Sequence, residues 1–380
     1  MRFLVVTGLV AGVMGCADPC ETVTELTVTD PIRHGLFIEV DGAQLDTASN
    51  RGGQVVRATC DDGVHKLDPT LRSDGSVDVS YEYDDERTVS ELAIDEEGTI
   101  AVVTFELEYI GDIDEKTVTR VTVFERDGSR RWSQVLAQDG YASDYSGLAI
   151  GPDQVFVATK FGKLEAFARD TGAPAWSKTI MGARDLGIAM DPSGGVTVTS
   201  DAEVSSYSAT GSVRWSVPSS MLGLVELDRV AQAANGSIAV LGNDGSLDLR
   251  SAQKIVMLEP GGVLRWTQPL GTRFHDRVTS MVTDGVHIVV AGDYGRTLGF
   301  DPSAATSDDS AGFLSTVGAT GVVSTFTVGG TGTQRIYVTS MTADSTYVRA
   351  TSFDSENVPS LEIPGADVDG NGVAILEVAR

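Results

Sequence analysis

One short phrase punctuates this chain, closing a hairpin and then supplying a tryptophan. Its clearest copy is Ala166-Phe167-Ala168-Arg169-Asp170-Thr171-Gly172-Ala173-Pro174-Ala175-Trp176. Further copies end Asp127-Gly128 to Trp132, Thr210-Gly211 to Trp215 and Gly261-Gly262 to Trp266, so the phrase holds all four tryptophans. Glycine supplies the positive φ that such tight turns require. The tryptophans stand 44, 39 and 51 residues apart, and a recurrence on that scale confines the fold to repeat architectures.

The rest of each unit recurs as well. Glu91–Val103, Gly147–Ala158 and Gly187–Val198 each read as a strand, an Asp/Gly or Pro/Asp turn and a second strand, and Ala231–Leu241 and Met281–Ala291 repeat the pattern. Four strands per unit of roughly 40–50 residues is the period of a β-propeller blade. Degenerate unit ends are read at Asp74-Gly75-Ser76-Val77-Asp78-Val79 (Val79 in the tryptophan position), near Phe313-Leu314-Ser315 and near Pro359-Ser360-Leu361, which makes seven. Ala366–Val378 matches the first two strands of a unit, and pairing it with N-terminal strands between Leu36 and Cys60 would leave no open sheet edge. The expected fold is therefore all-β: a closed propeller of seven four-stranded blades, or eight if Leu36–Val40 belongs to an extra composite blade. No amphipathic helix of ten residues is read, only short helical pieces around Met221–Asp228.

Residues 1–15 read as a targeting segment. Arg2 precedes an apolar run, Phe3–Met14, too short to span a bilayer. Gly15-Cys16 resembles a bacterial lipobox, which would make Cys16 a lipidated N-terminus; an ordinary secretory signal is the alternative. Residues 16–33 read as a tether and 34–380 as the propeller. With Cys16 acylated, Cys20 and Cys60 remain as an even pair in an oxidising compartment and are expected to form a disulfide.

Acidic residues outnumber basic ones, 54 to 28, for a net charge of −26. Such a surface repels nucleic acid and anionic headgroups, so contact with a membrane is expected through the anchor alone. The acidic density between Glu82 and Glu115 reads as solvated loops.

Ala166–Trp176 resembles the repeat of the PQQ-like (quinoprotein-type) β-propellers, whose consensus runs Ala-x-Asp-x-x-Thr-Gly-x-x-x-Trp with small changes of spacing. The resemblance implies a fold shared by quinoprotein dehydrogenases and by the BamB-like lipoproteins of outer-membrane assembly. It implies no cofactor here: no two cysteines are adjacent, and Trp132, Trp176, Trp215 and Trp266 are all committed to the blade phrase with Gly172. These tryptophans are expected to lie between blades, each with its N–H on a backbone carbonyl. A monomer is expected.

Recognised catalytic spacings are missing. The sequence has no Gly-x-Ser-x-Gly, Walker or His-Glu-x-x-His motif, and its four histidines share no metal-ligand spacing. Asp367, Asp369 and Asn371 match the first half of a calcium loop, but position 378 is Val and a hairpin turn is the simpler reading, so no metal is assigned. A carboxylate, often beside an arginine, precedes several units: Glu86-Arg87, Asp144, Arg184-Asp185, Asp228-Arg229 and Asp276-Arg277. These are expected at one rim of the channel, where they would bridge neighbouring blades or form a polar binding face. Arg273, Phe274, His275, Asp276 and Arg277, with Arg184, Asp185 and Tyr145, are the candidate partner-binding rim, because an aromatic flanked by arginine suits a protein interface. The function expected is a non-catalytic envelope lipoprotein, anchored to the outer membrane and facing the periplasm or the cell surface, whose propeller binds another envelope protein. The alternatives are a propeller enzyme of quinoprotein, lyase or hydrolase type, and glycan binding through Tyr141, Tyr145 and Phe274.

Overall fold

Alternating Val, Ile, Thr and Ala become strand throughout the chain, and Asp/Gly turns reverse it at short intervals. The computed structural model describes residues 21–40, 47–49, 55–58, 63–67, 73–78, 88–110, 114–137, 145–159, 162–180, 186–245, 253–270, 277–296, 307–331, 333–342, 344–353, 360–369 and 372–380. Two strands come first, β1 (Glu21–Glu25) and β2 (Ile32–Val40). Six sheets of four antiparallel strands follow. Sheet I holds β3 (Thr47–Ser49), β4 (Val55–Ala58), β5 (Gly63–Leu67) and β6 (Ser73–Asp78). Sheet II holds β7 (Thr88–Ile94), β8 (Ile100–Ile110), β9 (Asp114–Phe124) and β10 (Arg130–Ala137). Sheet III holds β11 (Tyr145–Ile150), β12 (Gln154–Thr159), β13 (Lys163–Ala168) and β14 (Pro174–Thr179). Sheet IV holds β15 (Gly187–Met190), β16 (Val196–Thr199), β17 (Glu203–Tyr207) and β18 (Val213–Pro218). Sheet V holds β19 (Glu226–Gln232), β20 (Ile238–Asn243), β21 (Gln253–Leu258) and β22 (Leu264–Pro269). Sheet VI holds β23 (Arg277–Thr283), β24 (Ile288–Arg296), β25 (Ser307–Gly318) and β26 (Gly321–Val328).

The last sheet, VII, joins both ends of the chain. It contains β27 (Thr333–Met341), β28 (Ser345–Phe353) and β31 (Gly372–Ala379), then β2 and β1, in that order. A separate hairpin, β29 (Ser360–Ile363) and β30 (Ala366–Asp369), lies between β28 and β31 in sequence. The first strand of each sheet neighbours the first strand of the next from β3 to β27, and β27 neighbours β3. Apolar clusters fill the spaces between adjacent sheets: Val123, Val155 and Phe167 between II and III, and Phe156, Val198 and Tyr207 between III and IV. Among the described residues the helical content is one short 3-10 turn, Ser219–Leu222, at the start of the segment where helical pieces were expected.

Several expectations need correction. Asp74-Gly75-Ser76 does not turn; it lies inside β6, where Ser76 faces His65. Phe313-Leu314-Ser315 lies in β25, the third strand of its sheet, so that unit ends one strand later, in β26. Ser360 and Leu361 belong to the separate hairpin. Ala366–Val378 is not the opening hairpin of a blade: β30 pairs with β29, whereas β31 is inserted between β28 and β2. The pairing partner at the N-terminus is β2, with Leu36 opposite Ile375. The segment read as a tether contributes β1, whose five residues pair with Leu36–Val40.

Candidate functional site

The repeated phrase makes a joint between sheets. Trp132, at the start of β10 in sheet II, donates its indole N–H to the Arg169 carbonyl of sheet III at 2.6 Å. Trp176 donates to Ala209 O at 2.8 Å and Trp215 to Pro260 O at 3.1 Å, each one sheet onward. The ring lies over the next turn's glycine. A Cβ at Gly172 would stand 2.6 Å from Cδ2 of Trp132, and Gly211 and Gly262 meet Trp176 and Trp215 in the same way. Gly172 also has a φ of +68°, so turn geometry and ring contact both exclude a side chain there. Trp132 is buried, while Trp176, Trp215 and Trp266 are half-buried. The family phrase is thus structural in its observed contacts.

Arginines reinforce the same seams. Arg169, 7% exposed, places Nη2 2.5 Å from Asp95 Oδ2, 2.8 Å from Glu97 Oε2 and 2.7 Å from Thr99 Oγ1, all in sheet II. Arg131 grips Glu125 with two hydrogen bonds and reaches Asp170 of sheet III at 3.3 Å. The hydrogen bonds from Arg131 hold the Glu125 carboxyl below the ordinary range. Arg265 donates to Gly285 O of sheet VI at 2.8 Å, and Arg380 Nη2 to Asp284 Oδ2 at 2.6 Å. Burial pushes the Asp284 carboxyl up. The Arg380 guanidinium and the backbone N–H groups of His287 and Val286 outweigh that and hold it at about 2.

A second group of charges lies on the first strands. Asp228 and Arg229 sit in β19, not in a loop, and Arg277 is the first residue of β23. Arg229 is exposed to solvent, yet the surrounding protein pushes its guanidinium below the ordinary range. Asp228 and Arg277 act on it, and so do Tyr337 of β27 and Glu91 of β7. Burial first, then the Glu226 charge, pushes the Asp228 carboxyl up, although Arg229 and Arg277 oppose them. These five residues come from the first strands of sheets II, V, VI and VII, and their charges act on one another. Both signs of charge meet there, an arrangement that can steer and orient a charged partner.

The other sequence-derived candidates fall as follows. Tyr145 is the first residue of β11, and its side chain lies outside the described residues, as do Arg184, Asp185, Arg273, Phe274, His275 and Asp276. Cys16, Cys20, Cys60 and Asn371 also lie outside them. Asp367 and Asp369 occupy the exposed face of β30, opposite Glu362 and Ser360, and form extended strand. Among the described residues no group of three or more His, Cys, Asp or Glu side chains is placed to hold a metal. Glu91 and Tyr337 were missed in the sequence because neither belongs to an acid–arginine pair; only their places on first strands reveal them.

A family model described as outer membrane protein assembly factor BamB matches residues 114–337, more than half of the 380-residue chain. No curated protein matches. Among solved structures, a protein of unknown function from Bacteroides caccae is 10% identical with a TM-score of 0.42, covering 66% of this chain and 94% of that one. With four-stranded antiparallel sheets joined by repeated Gly–Trp contacts, and a match running from sheet II into sheet VII, the chain belongs to the PQQ-like β-propeller repeat family of the outer membrane protein assembly factor BamB.

Proposed function

We propose that the chain is a non-catalytic lipoprotein of the bacterial envelope, anchored to the outer membrane through Cys16, whose propeller is a scaffold for another envelope protein. Membership of the BamB-like family is the observation that carries this reading. In this proposal sheets I to VII close a seven-bladed ring. The neighbouring of β27 and β3 supports closure, and so does the pairing of β31 with β2, which ties the last strand to the N-terminal part of the chain. A Cys20–Cys60 disulfide would tie the anchor region to sheet I.

The mixed-charge group of Glu91, Asp228, Arg229, Arg277 and Tyr337 is the proposed partner-binding surface. It shares Arg277 with the rim expected from the sequence, whose residues Arg273–Asp276 lie outside the described residues. A second reading, a propeller enzyme, draws on Asp228, whose carboxyl is pushed up by burial and by the Glu226 charge. Affinity capture from detergent-solubilised native envelope separates the two. Wild-type protein should retain one envelope protein in stoichiometric amount, and Arg229→Glu with Arg277→Glu should lose it while keeping the wild-type circular dichroism. Capture that survives both reversals would contradict the assignment of this surface.

A further inference from the structure

The position of β1 places Glu21 at one of the two ends of sheet VII. Within sheet VII, β27 runs from Thr333 to Met341 and turns into β28, so residues 342–344 mark one end of the sheet. β31 pairs antiparallel with β28, Ser345 opposite Ala379 and Ser352 opposite Gly372. β2 then runs from Ile32 near Val378 to Glu39 opposite Gly372, and β1 reverses again with Glu21 opposite Val40. Glu21 therefore lies at the end opposite the 342–344 turn. That is the end at which β27 begins, and at which each connection from a last strand reaches the next first strand.

Neighbouring first strands run in the same sense. Thr279 of β23 donates to Ile336 O of β27 at 2.9 Å, and one residue later Ser280 accepts from Val338 N at 2.6 Å. The beginning of β23, at Arg277, and the beginning of β27, at Thr333, thus share one end of the molecule with Glu21. Gly187, the first residue of β15, approaches Asp228 and Arg229 at the middle of β19.

Cys16 precedes Glu21 by five residues. Five residues span at most about 18 Å even when fully extended. We infer that lipidation of Cys16 holds this end of sheet VII within that distance of the bilayer, turning Arg277 toward the membrane and the 342–344 turn away from it. The inference rests on the anchored, protein-binding reading above and adds orientation to it.

The test uses the full acylated chain, reconstituted in vesicles of phosphatidylethanolamine and phosphatidylglycerol that contain a headgroup-nitroxide phospholipid. A fluorophore is attached through an azide-bearing residue at position 333 or at position 344, both exposed and both in sheet VII. The two sites lie roughly 25–30 Å apart along β27. Label 333 should be quenched several-fold more than label 344. Equal quenching, or stronger quenching at 344, overturns the orientation while leaving the anchor intact. Cys16→Ser should release the protein from the vesicles, and retention of that variant overturns the anchor reading and the inference with it.

Discussion

At the scale of residues, the joint between Trp132 and Gly172 shows what the motif is for. The sequence shows why Gly172 ends a hairpin, since Thr171-Gly172 is a turn by composition. It does not show that the same glycine is the floor under a tryptophan from the preceding sheet. That contact joins residues 40 positions apart, beyond what local pattern carries. Arg169 was hidden for the same reason: it stands in the middle of the quoted phrase, but its partners Asp95, Glu97 and Thr99 lie some 70 residues earlier. Trp132→Ala should destabilise the protein by about 3–5 kcal/mol, as for other buried aromatic truncations. Gly172→Ala should cost more than about 1 kcal/mol through its positive φ alone, with the ring contact added. In the Trp132→Ala background the cost of Gly172→Ala should shrink, because the ring it would strike is gone. Denaturant unfolding of the two single variants and the double variant measures this, and strict additivity would mean that the two residues do not share a joint.

Elements were more legible than their assignment to sheets. Hairpins at Glu91–Val103, Gly147–Ala158, Gly187–Val198, Ala231–Leu241 and Met281–Ala291 fall where alternation and turn residues place them. The degenerate ends were misplaced because they lack tryptophan. In sheet VI, Ser324 faces Thr316 just past the bulge, where Trp215 faces Ser206 in sheet IV. Insertion of β31 between β28 and β2 was half legible: the need for an N-terminal partner follows from an open edge, whereas the intervening β29–β30 hairpin breaks the repeat. Arg380, just past β31, binds Asp284 in the turn between β23 and β24 and so couples sheets VI and VII. Asp284 has a folded pKa of about 2, below the ordinary value of about 3.9 for an unfolded aspartate. A depressed carboxylate stabilises the fold fully above the unfolded value, and the contribution is lost as pH falls through the folded one. The window is therefore about pH 4 to 2. Arg380→Ala should be less stable at neutral pH and should lose less further stability across that window than the wild type. Unfolding midpoints measured from pH 6 to 2 check this, and identical acid limbs would remove Asp284 from the account.

For the whole molecule, periodicity made the repeat fold readable, while function had to be sought where the repeats differ. The candidate site groups Glu91, Arg229, Arg277 and Tyr337 from first strands of different sheets, while the loop residues emphasised by sequence lie, apart from Arg277, outside the described residues. Such a grouping depends on how the sheets are arranged, which no local spacing encodes. A net charge of −26 makes the two arginines there the more distinctive as a docking feature. The central claim is that this first-strand end of the propeller, at Arg277, meets the proposed partner. Photo-crosslinking in intact envelope tests it most directly, with a photoreactive residue at position 277 and, as the opposite-end control, at exposed Val286 in the β23–β24 turn. The account predicts one discrete adduct from position 277 and none from 286. An adduct confined to 286, or no adduct from 277, would contradict it.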